Sequence, residues 1–348
     1  MRIRIRKVAV LLFAVIVATW IYQSHLPPSP RLCGFPGGPR ITAPRVKLRD
    51  GRYLAYKEIG VPRENAKHKI IFVHGFGNAR HDVVIAYRLP QKFFEELGVC
   101  IVSFDRPGYG ESDPDPNRTL KSMTRDIEDL ADQLNLGDKF YLAGFSMGGQ
   151  TVWGSLKYIP HRLAGAVLIA PVVNYWWDGF PANLSEEAFH KQFPEDKWAQ
   201  RVVHYIPWLT YWWNTQKFFP GSSVAAGRAA LSAQDYRLLS SVPYIAEHRA
   251  QVIQQGMYES LHRDMIIGFG KWDFSPMNLS NPIPDKNGAV HIWQGDDDAL
   301  VPVTLQRYIA QKLEWIQYHE IPGAGHMFSL ANGMPEAIIR SLLHATTS

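Results

Sequence analysis

Leu142-Ala-Gly-Phe-Ser-Met-Gly-Gly149 sets a Gly-x-Ser-x-Gly pattern directly after the apolar run 140–143 and before a helix-like stretch, 147–158. A strand-to-helix turn of this kind holds a serine hydroxyl out at the end of a sheet. Gly144 and Gly148 lack side chains, so two backbone segments can pass close to Ser146. The following helix aims its first amides at developing negative charge.

A serine hydroxyl is a weak nucleophile and needs a histidine base, which in turn needs a carboxylate to fix its tautomer. His326 lies in Ile321-Pro-Gly-Ala-Gly-His-Met-Phe328, a glycine-rich loop near the carboxy terminus, and is the expected base. Gly295-Asp-Asp-Asp-Ala-Leu-Val-Pro302 offers three acids. Asp298 is chosen because it stands just before an apolar anchor and a helix start, whereas Asp296 and Asp297 are expected to shape the turn or face water. A tetrahedral intermediate needs two amide donors. Met147, next to the serine, supplies one, and Phe76 in Val73-His-Gly-Phe-Gly77 supplies the other. Gly75 and Gly77 let that backbone lie beside a substrate carbonyl. His74 reads as a packing or hydrogen-bonding residue, and Arg106 in Asp105-Arg-Pro-Gly-Tyr-Gly-Glu-Ser112 as an ion-pairing scaffold.

Around these motifs apolar strands alternate with amphipathic helices. A hairpin-like pair flanks Asp50-Gly51; strands follow at 69–73, 99–104 and 140–143, with helical stretches ending at Leu97 and spanning 122–134. Short apolar strands traded against helices predict a mostly parallel sheet covered on both faces. The alternation breaks after the run 164–173 and resumes at 289–293, closing with helices at 303–313 and 335–345 around a strand ending near Ile321. The expected division is an N-terminal segment 1–23, a Pro/Gly-rich spacer 24–45, a core of 46–173 and 286–348, and a cap of 174–285.

The formal net charge of +5 owes four charges to Arg2, Arg4, Arg6 and Lys7, which removes the main support for nucleic-acid binding. Behind those charges, residues 8–22 form a mostly apolar run of about 22 Å as a helix, the layout of a signal peptide or an anchor. Bulky Trp20, Ile21 and Tyr22 spoil a small-x-small cleavage site, favouring an uncleaved anchor with the body on the luminal side of the secretory pathway; secretion after cleavage is the alternative. Asn117-Arg-Thr, Asn183-Leu-Ser and Asn278-Leu-Ser are sequons available there. Two cysteines, Cys33 and Cys100, exclude a disulfide framework, and Cys100 reads as a small core residue.

From about residue 46 onward the chain resembles the α/β-hydrolase superfamily, and within it a group of membrane-anchored plant members without a settled substrate. His-Gly-Phe-Gly, Asp-Arg-Pro-Gly-Tyr-Gly-Glu-Ser, Gly-Phe-Ser-Met-Gly-Gly, Gly-Asp-Asp-Asp-Ala-Leu-Val-Pro and Gly-Ala-Gly-His carry the resemblance, in that order. It implies an α/β fold with an eight-stranded sheet and an inserted, mainly helical cap, the site residues just named, and neither metal nor cofactor. Related epoxide hydrolases and haloalkane dehalogenases carry aspartate where this chain has Ser146.

The expected activity is cleavage of a small-molecule carboxylic ester. Seven of the 11 tryptophans fall in the cap, where they wall an apolar acyl pocket, build the cap's own core, or rest on a membrane. Two other readings stay open: a slow, triad-retaining receptor of the same fold, and a carbon–carbon bond hydrolase or lyase on the same residues.

Overall fold

A computed structural model describes residues 2–242, 250–284 and 289–344. The expected boundary between cap and core at 285/286, and the end of the last helix at Ala345, lie outside the described residues.

Eight strands form one sheet: β1 (Arg45–Lys47), β2 (Tyr53–Gly60), β3 (His68–Val73), β4 (Val99–Phe104), β5 (Phe140–Phe145), β6 (Leu163–Ile169), β7 (Val290–Gly295) and β8 (Ile316–Ile321). Their order is β1-β2-β4-β3-β5-β6-β7-β8. β1 and β2 pair antiparallel, as do β2 and β4; all other pairings are parallel. The central strands β4 and β5 are buried along their whole length, which is why they read as unbroken apolar runs.

Successive residues serve opposite faces. Ile71 and Val73 of β3 join one core and Ile70 and Phe72 the other; Cys100 and Val102 of β4 oppose Val99 and Ile101. Helices Leu120–Gln133, Gly148–Tyr158 and Val303–Lys312 cover the first face through residues such as Ile127, Trp153 and Leu305. Helices Gln91–Leu97 and Met334–His344 cover the second through Phe93, Phe94 and Ile338. Cys100 sits in the core, where burial pushes its thiol up to about 11.

Three local expectations change. Of the helical stretch ending at Leu97, only Gln91–Leu97 is helix. Upstream, the amides of Ala79 and Arg80 are taken by the carboxylates of Asp82 and Asp105, and Arg88 (φ 60°) and Pro90 stop a helical path. Residues 25–44, between the first helix and β1, carry neither helix nor strand but are not a free spacer. The amides of Thr42 and Ala43 and the Thr42 hydroxyl donate to Glu111, and Cys33 is buried against Gln255 and Gly110. The N-terminal helix runs Arg2–Ser24, 23 residues or about 34 Å, longer than the apolar run alone.

Between β6 and β7 the chain builds helices Ala182–His190, Pro194–Tyr205, Thr210–Thr215, Ala233–Ser240 and Arg263–Phe269. This insertion is fastened to the core by Asp264. Its buried carboxylate pairs with Arg106 at 2.6 Å and Arg118 at 3.0 Å and accepts the Tyr109 hydroxyl at 2.6 Å. Arg106 is thus the ion-pairing residue expected. Removing one partner of a buried ionic cluster strands the others. Asp264→Ala is expected to lower stability by about 3–5 kcal/mol in denaturant unfolding, while Glu336→Ala, which breaks only the exposed pair with Arg340, changes it by under about 1 kcal/mol.

Candidate active site

Ser146 follows β5 and precedes the helix Gly148–Tyr158 with φ 52°, a left-handed conformation that costs a non-glycine residue about 1–2 kcal/mol. A Cβ at Gly144 would lie 2.6 Å from the Gly148 carbonyl oxygen, and one at Gly148 would lie 2.2 Å from that of Val73. Both glycines are therefore steric requirements of the turn. A Cβ at Gly75 would approach the Cβ of Ser146 to 3.2 Å, and Gly77 has φ 68°.

His326 sits with its Nε2 3.0 Å from Ser146 Oγ and its Nδ1 2.8 Å from Asp298 Oδ2. The carboxylate can only accept, so Nδ1 carries the proton and the Nε2 lone pair faces the serine hydroxyl. Asp298 is fixed by Gln294 Nε2 on Oδ2 and by the amides of Leu300 and Val301 on Oδ1, each at 2.9 Å. Its two neighbours do otherwise: Asp296 accepts the Gly323 amide, and Asp297 is exposed. Burial favours neutral His326, but the charge and hydrogen bond of Asp298, together with the charge of Asp235, outweigh it and hold the imidazole above its ordinary value.

The amides of Phe76 and Met147 make no hydrogen bond within the described chain, and both residues line a cavity together with Ser146. His74 is fully buried. Its Nδ1 donates to the Gly75 carbonyl at 2.8 Å and its Nε2 accepts the Arg106 amide at 3.0 Å; burial, with Arg106 nearby, holds it far below its ordinary value and neutral. It shapes the loop and is no base.

One residue escaped the sequence reading. Asp235, fully buried at the start of helix Ala233–Ser240, accepts the amides of His326 (3.1 Å) and Met327 (2.7 Å), so the insertion grips the loop that carries the imidazole. Ser232-x-x-Asp235 is a capping box legible in sequence, but its second task is not.

Two spaces meet at Ser146. One, of about 60 Å³, is enclosed by the insertion; the other, of about 420 Å³, is walled by His326 and mostly apolar side chains. A larger cavity, about 700 Å³, lies between Arg118, Tyr158, His204 and Trp272, away from Ser146, Asp298 and His326.

Residues 70–340 match the Alpha/beta hydrolase family, and the chain belongs to it. The putative 2-succinyl-6-hydroxy-2,4-cyclohexadiene-1-carboxylate synthase of Bacillus subtilis is 32% identical over 127 residues, 35% of this chain and 42% of that protein. The 3-oxoadipate enol-lactonase 1 of Acinetobacter baylyi is 41% identical over 84 residues, 24% of this chain and 31% of its own length. The chain spans less than half the length of the first curated relatives it matches. Among solved structures, a thermophilic esterase from Thermogutta terrifontis superposes with TM-score 0.56 at 20% identity, covering 88% of this chain and all of that one. That likeness is one of fold.

If Asp235 braces the imidazole loop, Asp235→Ala should raise deuterium uptake of the peptide spanning 322–330 at least tenfold, while Asp297→Ala leaves it unchanged. Native-state hydrogen exchange read by mass spectrometry checks both.

Proposed function

We propose that this chain is a serine-nucleophile hydrolase that cleaves a carboxylic ester through an acyl-enzyme on Ser146. The observation that carries this reading is the unbroken line Asp298–His326–Ser146, set at a left-handed elbow beside two unpaired amides. His326 Nε2 takes the Ser146 proton as Oγ attacks the ester carbonyl. The amides of Phe76 and Met147 receive the charge that develops on the carbonyl oxygen, each such donor being worth on the order of 10²–10³ in rate. The imidazolium, stabilised by Asp298, returns its proton to the departing alcohol oxygen as the carbon–oxygen bond breaks. Water, activated by the same nitrogen, then releases the acid and restores Ser146. No step calls for a cofactor.

The wide chamber, with its apolar walls, supports an ester whose bulk is lipid-like. The helix Arg6–Ser24 is long and apolar enough to cross a membrane, and its basic start argues for a cytosolic amino terminus and a luminal body. Tyr22 and His25, at its end, pack on Trp208 and Trp212 of the insertion, beside exposed Trp208, Phe218 and Phe219. Such rings suit a membrane interface. The serine branch, and the resemblance to anchored plant members, rests on the five motifs.

Two measurements test this. A fluorophosphonate should label wild type, with Ser146→Ala abolishing labelling and His326→Ala slowing it on the order of 10³-fold or more. Because the base works only when neutral and its pKa is raised, the labelling rate should climb with pH through a midpoint above 6.5. A folded wild type that resists labelling sinks the assignment. For topology, Asn117, Asn183 and Asn278 are all exposed. Expression in a eukaryotic cell should give a membrane-bound protein whose mobility shifts with endoglycosidase, less so in Asn183→Gln; an unglycosylated protein refutes the luminal orientation.

A further inference from the structure

We infer that the insertion makes a second membrane contact. The tip Phe218-Phe219 and the rings beside it seat in the leaflet from which the N-terminal helix emerges, and they hold the wide chamber at Ser146 against the lipid that supplies its ester. This rests on the anchor and serine-hydrolase readings above. The 19 residues Arg6–Ser24 make about 28 Å of helix against a hydrocarbon core of about 30 Å, so the last turn of a spanning helix lies at the interface. Tyr22 belongs to that turn, and its ring centroid is 6.0 Å from that of Trp208. Trp208 is thereby level with the interface. From the residue just past the helix a line of ring contacts leads outward: His25 to Trp212 at 5.4 Å, Trp212 to Trp213 at 6.4 Å, then Trp213 to Phe219 at 5.9 Å and to Trp198 at 6.3 Å. Trp198, Trp208, Phe218 and Phe219 are exposed, Phe218 to 80%. A contiguous exposed apolar surface marks a contact site. Here the end of the helix brings the bilayer to it.

The tip is built for a dry setting. Unpaired backbone groups bar an irregular loop from lipid. Gln216 Oε1 accepts the amides of Phe218 and Phe219, the second at 2.8 Å, and Gln216 Nε2 donates to the carbonyls of Phe219 at 2.7 Å and Trp213 at 3.0 Å. One side chain thus satisfies backbone that the two phenylalanines would carry into the leaflet. Lys217, exposed before them, has a stem long enough to keep its charge among the headgroups. The same surface borders the chamber. Tyr211, preceding Trp212, meets the ring of Tyr258 at 6.1 Å, and Met257, just before Tyr258, is exposed and lines the chamber. The chain past the helix is tied there too, the Arg31 amide donating at 3.0 Å to the carbonyl of Gln255, between the chamber residues Ile253 and Met257. An ester dissolved in the leaflet then reaches the chamber by lateral diffusion.

The test uses the full-length protein in phosphatidylcholine nanodiscs. Cys33 and Cys100 are buried, so a thiol-reactive NBD dye marks an introduced cysteine. Phosphatidylcholine carrying a doxyl group high on its acyl chain should quench the dye on Phe218→Cys at least threefold more than on Asp138→Cys, an exposed position just before β5 at the end of that strand away from Ser146. Phe218→Asp should cut kcat/KM for resorufin oleate dissolved in the disc about fivefold or more, leave water-soluble resorufin acetate within about twofold, and Phe218→Trp should keep both rates. Equal quenching at the two positions overturns the seating. So does a dye shielded from water but untouched by doxyl lipid, which marks a second copy of the chain as the occupant. No hydrolysis of the oleate by a fluorophosphonate-reactive wild type, no loss in Phe218→Asp, or equal loss on both esters overturns supply from the bilayer. Protein that stays outside the discs overturns the anchor reading. A wild type whose Ser146 takes no fluorophosphonate overturns the serine reading, while the quenching still decides the seating.

Discussion

The close approach of Gly148 to β3 is the contact on which the site depends. With no side chain at 148 the start of the helix can press to within a Cβ's distance of the Val73 and His74 carbonyls. That approach sets Ser146 beside the loop carrying Gly75 and Phe76. Left-handed geometry at Ser146 is the consequence, and it is held by three backbone hydrogen bonds: its amide donates to the Ile169 carbonyl at 2.8 Å, and its carbonyl accepts the Val172 amide at 3.1 Å and the Gly149 amide at 3.0 Å. Two of the three reach to β6 or to the segment just past it, so the sheet shares the strain at the turn with the elbow's own bond.

The insertion then braces what the sheet presents. Two of its buried carboxylates reach into the core and are satisfied differently, Asp264 by two guanidinium groups and a phenol, Asp235 by backbone amides of the imidazole loop. Lifting the helix Arg263–Phe269 would leave Arg106 and Arg118 buried without their counter-charge, a cost of several kcal/mol. The access to Ser146 that avoids this cost is the wide chamber.

What could be read from the sequence divides by the range of the interaction. Ser146, Asp298 and His326 each sit in a short motif whose glycines and flanking strand make their setting local, and the strand pattern likewise declared the parallel sheet. Asp235 and Asp264 carry no such signature. Their helices look like any polar, partly amphipathic helix, and their partners lie far along the chain: Asp235 meets His326 across 91 positions and Asp264 meets Arg106 across 158. The proline-rich segment misled for the same reason. Its composition forbids ladders, yet Thr42 finds Glu111 across 69 positions through side-chain acceptance that no periodicity reports.

The long-range contacts converge on one peptide unit. The carbonyl of Gly75 and the amide of Phe76 belong to the same plane, and that carbonyl accepts both His74 Nδ1 at 2.8 Å and the Arg106 guanidinium at 3.0 Å. Two donors, one of them charged, pull electron density toward the oxygen and leave the Phe76 N–H a stronger donor than an unassisted amide. His74 performs this task because burial keeps it neutral and the Arg106 amide, donating to Nε2, leaves the proton on Nδ1. Arg106 performs it because Asp264 holds its guanidinium in place from the insertion. A residue that reads from sequence as scaffold thereby acts on an amide that lines the cavity at Ser146, and through Asp264 the insertion also sets the donor strength of the core beneath it.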